Sequence, residues 1–95
     1  MNIVIVSGTN REGSMSLKMA NKLVAQYEAE GASVQLIDLA TLPQDIFVPS
    51  IYKEKPESFA PFHEPILNAD GILFVVPEYN GSFPGILKYY IDYMQ

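Results

Sequence analysis

A three-layer α/β fold built around a parallel sheet is predicted by three observations. Strand-like and helix-like stretches alternate along the whole chain, and alternation of this kind joins parallel strands through right-handed helical crossovers. The runs Ile3-Val4-Ile5-Val6 and Ile72-Leu73-Phe74-Val75-Val76 are apolar at every position, as strands covered on both faces must be. A loop of hydroxyls and glycines, SGTNREGS (Ser7 to Ser14), stands where the first of these strands gives way to a helix.

Each element follows from local pattern. Asn2 to Val6 is a short, doubly apolar strand. Ser16 to Glu30 carries Leu17, Ala20, Leu23, Val24 and Tyr27 at helical spacing, and Gly31 is suited to end that helix. Val34 to Ile37 reads as a second strand. Residues 40 to 56 hold Pro43, Pro49 and Pro56 and read as a surface connection. A second helix is expected from about Ser58 to Asn68, with Phe59, Phe62, Ile66 and Leu67 on one face. The third strand, Gly71 to Val76, is closed by Pro77, which cannot donate to a sheet ladder. The last helix begins near Pro84, a favourable first-turn residue, and is expected to bury Leu87, Tyr90, Ile91 and Met94.

A third strand that is apolar on both faces belongs inside a sheet, with a neighbour on each side, yet only one helix follows it. An unpaired strand of this kind is a sticky edge. The expectation is therefore an incomplete domain, apparently truncated after the third strand and its helix, or a chain whose sheet a partner completes.

The 95 residues make one domain at most, and 48% hydrophobic against 18% charged residues is a globular balance. Eleven acidic and six basic side chains leave a net charge of -5, which disfavours general attraction to nucleic acid or to anionic membrane. Any bound anion must be held by local geometry. The absence of cysteine removes thiolate catalysis and Cys-based metal sites. With no apolar run long enough to span a bilayer and no basic N-terminal region, the expected location is cytoplasmic.

The loop Ser7 to Ser14 is placed where open parallel sheets bind ligands, beyond the carboxyl ends of the strands. The following helix offers unpaired N–H groups and the positive end of its dipole, while Thr9, Ser14 and Ser16 add hydroxyls and Arg11 adds charge. This describes a phosphate cradle. A dinucleotide site would require G-x-G-x-x-G and a triphosphate site G-K-[ST]; with only Gly8 and Gly13, the loop suits a terminal monophosphate. The same residues also fit a plain helix cap, with Ser14 or Ser16 as the N-cap. The second loop, PEYNGSFPG (Pro77 to Gly85), offers the aromatic rings of Tyr79 and Phe83, the amide of Asn80, and glycines that let backbone approach a flat ligand. It can equally be a simple turn around Asn80-Gly81.

SGTNREGSMS resembles the G-[ST]-x-R-x-x-S-x-[NS] loop, and PEYNGSFPGILKYYIDY the P-E-Y-N-x-S-x-P-G-x-L-K-x-x-I-D-[WY] segment, of the NADPH-dependent FMN reductase family. That family is flavodoxin-like and includes reductases of quinones, azo dyes and chromate. The resemblance covers the chain as the family's N-terminal half, residues 1–95, with the fourth and fifth strands missing. It implies FMN as cofactor and NADPH or NADH as co-substrate. It implies a small-molecule electron acceptor (a quinone, azo compound, chromate or free flavin) and a homo-oligomer or a completing chain as partner. By resemblance, Thr9, Asn10, Arg11, Ser14, Met15 and Ser16 hold the phosphate end of the cofactor. Pro77, Glu78, Tyr79, Asn80 and Gly81 contact the isoalloxazine, largely through backbone. No side chain is required as a general base, because the protein's task is alignment. The chain departs from the pattern at Tyr89-Tyr90, where the family more often has Asn-Ala, and at Tyr93, where it has Trp. A flavodoxin-like electron carrier, or an inactive fragment that binds no flavin, are the competing expectations.

The remaining polar candidates read as structural. Asp38 ends the second strand where a dinucleotide enzyme would place a ribose ligand, but the glycine fingerprint is missing. His63 is the only histidine, unaccompanied by a cluster of carboxylates or thiolates, and no metal site is expected. Tyr27, Tyr90 and Tyr93 fall at helical spacings and are expected to serve packing.

Overall fold

A computed structural model describes residues 1–47 and 55–94. The elements are β1 (Asn2–Ser7), α1 (Met15–Ala29), β2 (Ser33–Asp38), α2 (Ala60–Leu67), β3 (Gly71–Val75) and α3 (Gly85–Tyr93), with short 3₁₀ turns at Leu39–Thr41, Gln44–Ile46 and Glu57–Phe59. Part of the proline-rich connection, including Pro49, lies outside the described residues.

The three strands form a parallel sheet in the order β2-β1-β3. β1 is therefore the middle strand, in register from Asn2↔Ser33 to Ser7↔Asp38 on one side and from Ile3↔Gly71 to Ser7↔Val75 on the other. The Gly8 amide donates to the Val75 carbonyl at 2.9 Å, which holds the start of the first loop against the end of β3. A Cβ at Gly8 would lie 3.1 Å from a Val76 methyl and 3.3 Å from a Leu87 methyl, so a side chain there would press its neighbours to shift by a few tenths of an ångström.

Side chains alternate across β1. Val4 and Val6 point into the main core, which joins Ile37, Leu39 and Ile46 to Phe59, Leu87, Tyr90 and Tyr93 from the α2 and α3 side. Ile5, on the opposite face, is fully buried, as is Ala20 of α1, the helix that covers that face. The tyrosines supply much of the volume, and their hydroxyls are satisfied. Tyr90 donates to the Phe62 carbonyl at 2.5 Å, and Tyr93 donates to the Ile46 carbonyl. The packing role expected of Tyr90 and Tyr93 is met; Tyr27 is half-buried.

Two expectations about helix faces are corrected. Leu67 is 68% exposed, because the 3₁₀ turn at Glu57–Phe59 breaks the register of a single long helix and leaves Phe62 and Ile66 to set the buried face of α2. Ile91 is 40% exposed, one position round α3 from the fully buried Tyr90; Tyr93 takes the place expected of it. β3 is an edge of the described sheet. Ile72 and Phe74 pair with Val4 and Val6 and so share their face, yet Ile72, Phe74 and Val76 are 42%, 40% and 39% exposed.

Candidate functional site

The carboxyl ends of β1 and β3 lie side by side, and the loops that leave them, 8–14 and 76–84, converge there. This is the point at which a 2-1-3 order reverses direction. Strand geometry alone brings together residues that are about seventy positions apart.

The first loop is organised around Thr9 and Ser14. Thr9 is 1% exposed; its Oγ1 accepts from the Arg11 amide at 3.2 Å and bonds the Tyr79 hydroxyl at 2.8 Å. Gly13 takes a φ of 64°, a left-handed value that glycine adopts without strain. Ser14 is then the N-cap of α1, its Oγ accepting from the Leu17 amide at 3.0 Å. The amides of Met15 and Ser16, in the first turn, have no carbonyl a turn earlier to bond. Residues 11 to 16 form one wall of a cavity of about 300 Å³ that Pro77 and Tyr79 close from the second loop. Its donor set is helix amides, serine hydroxyls and one exposed guanidinium, with Glu12 the only anionic wall residue among the described residues. Such a set suits a compact, multiply charged anion.

The second loop is a tight reversal. Tyr79 and Ser82 exchange both backbone hydrogen bonds, at 2.8 and 3.1 Å, and the residues between them, Asn80 and Gly81, have φ of 53° and 82°. Positive φ at both central positions is the geometry that Asn-Gly favours. The turn aims the Tyr79 ring back toward the first loop and leaves Asn80 and Gly81 exposed.

On its other side Tyr79 borders a second cavity of about 500 Å³, whose walls include Asn10, Phe47, Ile86 and Tyr89. The Phe47 and Tyr89 rings lie 4.8 Å apart at 37°, and the Tyr89 hydroxyl donates to the Ile46 carbonyl at 3.0 Å.

The structure thus brings Arg11, Ser14, Met15, Ser16, Pro77 and Tyr79 onto one cavity and Asn10 and Tyr79 onto the other. Thr9 lies beneath as a brace between the loops, and Glu78, Asn80 and Gly81 line neither cavity. Phe47 and Tyr89 were not foreseen as wall residues. Phe47 sits in an aperiodic connection, and Tyr89 gave only a departure from a motif. Asp38 spends its carboxylate on a turn, Oδ1 accepting from the Ala40 amide at 3.0 Å. His63 lies on α2 with its ring 5.8 Å from Phe59; partial burial, then Lys55, lower its pKa against an opposing effect of Glu64. Among the described residues no group of His, Cys, Asp or Glu is placed to hold a metal ion.

A parallel sheet in 2-1-3 order, with its loops converging at the β1/β3 switch point, defines a flavodoxin-like α/β protein. Within that class the chain belongs to the NADPH-dependent FMN reductase family, whose model matches residues 1–95. It is 33% identical over 93 residues to a 2-hydroxy-1,4-benzoquinone reductase of a Burkholderia species, covering 98% of this chain and 49% of that protein. It is 31% identical over 96 residues to an FMN-dependent NADPH-azoreductase of Staphylococcus haemolyticus, covering 96% and 50%. Among crystal structures, an apo NADH:FMN oxidoreductase superposes with a TM-score of 0.85 at 23% identity, over 99% of this chain and 50% of that one. The chain spans about half the length of the curated relatives it matches.

Proposed function

We propose that this chain carries the FMN phosphate site of an NAD(P)H-dependent oxidoreductase. The observation that carries the reading is the cavity between residues 11–16 and Pro77/Tyr79 at the end of β1 and β3, in a chain of this family. The residues present fit the group: a phosphate dianion needs several donors and one mobile cation, and the α1 amides, Ser14, Ser16 and Arg11 provide them. When bound, FMN would supply a redox centre that takes hydride from a reduced nicotinamide and passes electrons to an acceptor such as a quinone, azo compound, chromate or free flavin.

The chain's own part is positioning. Arg11 neutralises the anion, and the α1 N-terminus orients it without reorganising. Pro77 and Tyr79 wall off one side, and the Tyr79–Thr9 hydrogen bond locks the second loop to the first, so that both ends of a long ligand meet a common frame. A homo-oligomer, or a chain that pairs with β3, is part of the same proposal and is supported by the exposed apolar face of that strand.

Titration of FMN with the purified chain, followed by quenching of flavin fluorescence, tests the reading. Saturable binding that Arg11→Ala weakens about tenfold or more, the scale of one charge-assisted contact, is expected. Unaltered affinity in Arg11→Ala would remove the phosphate role. Flavin binding without NAD(P)H oxidation would assign an electron carrier instead of a reductase.

A further inference from the structure

We propose that the Tyr79 hydroxyl is a hydrogen-bond donor to the phosphate held by residues 11–16, and that Thr9 is the positioning residue that aims it. The assignment rests on the phosphate reading of that cavity, and it departs from the resemblance, which puts Thr9 on the phosphate and Tyr79 on the flavin ring. Thr9 is 1% exposed and lines neither cavity, so its hydroxyl is not presented to a ligand in either. Tyr79 is 38% exposed and walls the phosphate cavity. Its hydroxyl is fixed at the first loop, 2.8 Å from Thr9 Oγ1, and that same oxygen accepts from the amide of Arg11, a residue of the opposite wall.

The direction of the Thr9–Tyr79 bond follows from the protons available. Each hydroxyl has one to give. If Tyr79 donated, the Thr9 proton would be left in a buried setting with no acceptor among the described residues, at the cost of an unsatisfied donor. With Thr9 as the donor, its oxygen accepts from the Arg11 amide and its proton goes to Tyr79, so both of its capacities are used. The proton left over is then that of Tyr79, on the more exposed member of the pair and beside the wall that Arg11, Ser14 and Ser16 build. A chain of bonds that runs from the Arg11 amide through Thr9 to Tyr79 polarises the last hydroxyl and strengthens it as a donor to an anion. Thr9 thereby acts on the phosphate only through Tyr79.

The test is a double-mutant cycle read by fluorescence titration of the full chain with FMN and with riboflavin, which is the same ring system without the phosphate. Tyr79→Phe keeps the aromatic ring; it is expected to weaken FMN binding about tenfold, the scale of one hydrogen bond to a charged group, and to leave riboflavin within about twofold. Thr9→Val, close in shape but without the hydroxyl, is expected to do the same, and Thr9→Ser to restore FMN binding to within about twofold. The double variant is expected to bind FMN no more weakly than the weaker single one, because both changes remove the same donor. Losses that multiply to about a hundredfold would mean that Thr9 meets the phosphate itself, and would overturn the assignment. It is equally overturned if Tyr79→Phe leaves FMN affinity unchanged, or weakens FMN and riboflavin alike. Circular dichroism checks the fold of each variant; if Thr9→Val does not fold, Tyr79→Phe and Thr9→Ser decide. A wild-type chain that does not prefer FMN to riboflavin removes the phosphate reading and this assignment with it. A preference for FMN that persists undiminished in Tyr79→Phe removes this assignment alone.

Discussion

The hydroxyl of Tyr79 closes on Thr9 across seventy residues of sequence, and this one contact joins the two loops of the site. Tyr79→Phe keeps the ring and deletes the tie, leaving the buried Thr9 hydroxyl with one partner fewer. Urea denaturation is expected to show a loss of about 1 kcal/mol; unchanged stability would mean that the loops are held by other means. Ser7 makes the opposite case. Its Oγ is fully buried and, among the described residues, has no hydrogen-bond partner. Ser7→Ala removes an unsatisfied group, so the same measurement should read neutral to stabilising, up to about 1 kcal/mol. Tyr90 is a pH probe. Burial pushes its phenol above the ordinary value of 10.0. The neutral form is favoured in the fold, so its contribution is whole below pH 10.0 and is lost as pH rises through the higher folded value. Stability should therefore fall on the alkaline side, and Tyr90→Phe should flatten that limb; an equally steep fall in the variant would assign it to other groups.

At the level of elements, α1 is the best specified. Ser14 caps its start, and at its end the Ala32 amide reaches the Tyr27 carbonyl at 3.1 Å while the Gly31 amide reaches Glu28 at 3.0 Å, with Gly31 at a φ of 94°. These are the paired bonds of a Schellman close. A side chain at Gly31 meets open space, so Gly31→Ala tests backbone strain alone and should cost about 1 kcal/mol in thermal or urea unfolding. No cost would mean that the end of α1 relaxes freely. α2 was less legible. The 3₁₀ turn at Glu57–Phe59 takes the residues that periodicity assigned to its start, and Leu67 falls outside the face set by Phe62 and Ile66. The Asn80-Gly81 turn was visible as a turn. That it would swing Tyr79 onto Thr9 was not, because that contact is not local.

At the scale of the whole molecule the exposed face of β3 stands out. Ile72, Phe74 and Val76 extend the core face of β1 beyond the cover of α2 and α3, on a strand whose outer edge is unpaired among the described residues. An exposed apolar edge is an association surface. Sedimentation velocity on the chain is expected to show concentration-dependent self-association, and Phe74→Lys, which puts a charge on that face, is expected to shift it toward monomer. A wild-type chain that stays monomeric at high concentration would show that the face is tolerated in water.

Local pattern determined the element order, the parallel strands, the Asn80-Gly81 turn and the two loops of the site. Each of these depends on propensity, periodicity or φ preference within a few residues. Tertiary packing alone decided that Thr9 braces rather than lines the cavity, that Tyr79 stands between two cavities, and that Phe47 meets Tyr89 to wall the second one. Those contacts join the 8–14 loop, the stretch after β2 and α3. Their geometry is set by how the sheet and the tyrosine core seat those segments together, a long-range balance of burial and satisfied hydroxyls that no short window of sequence contains.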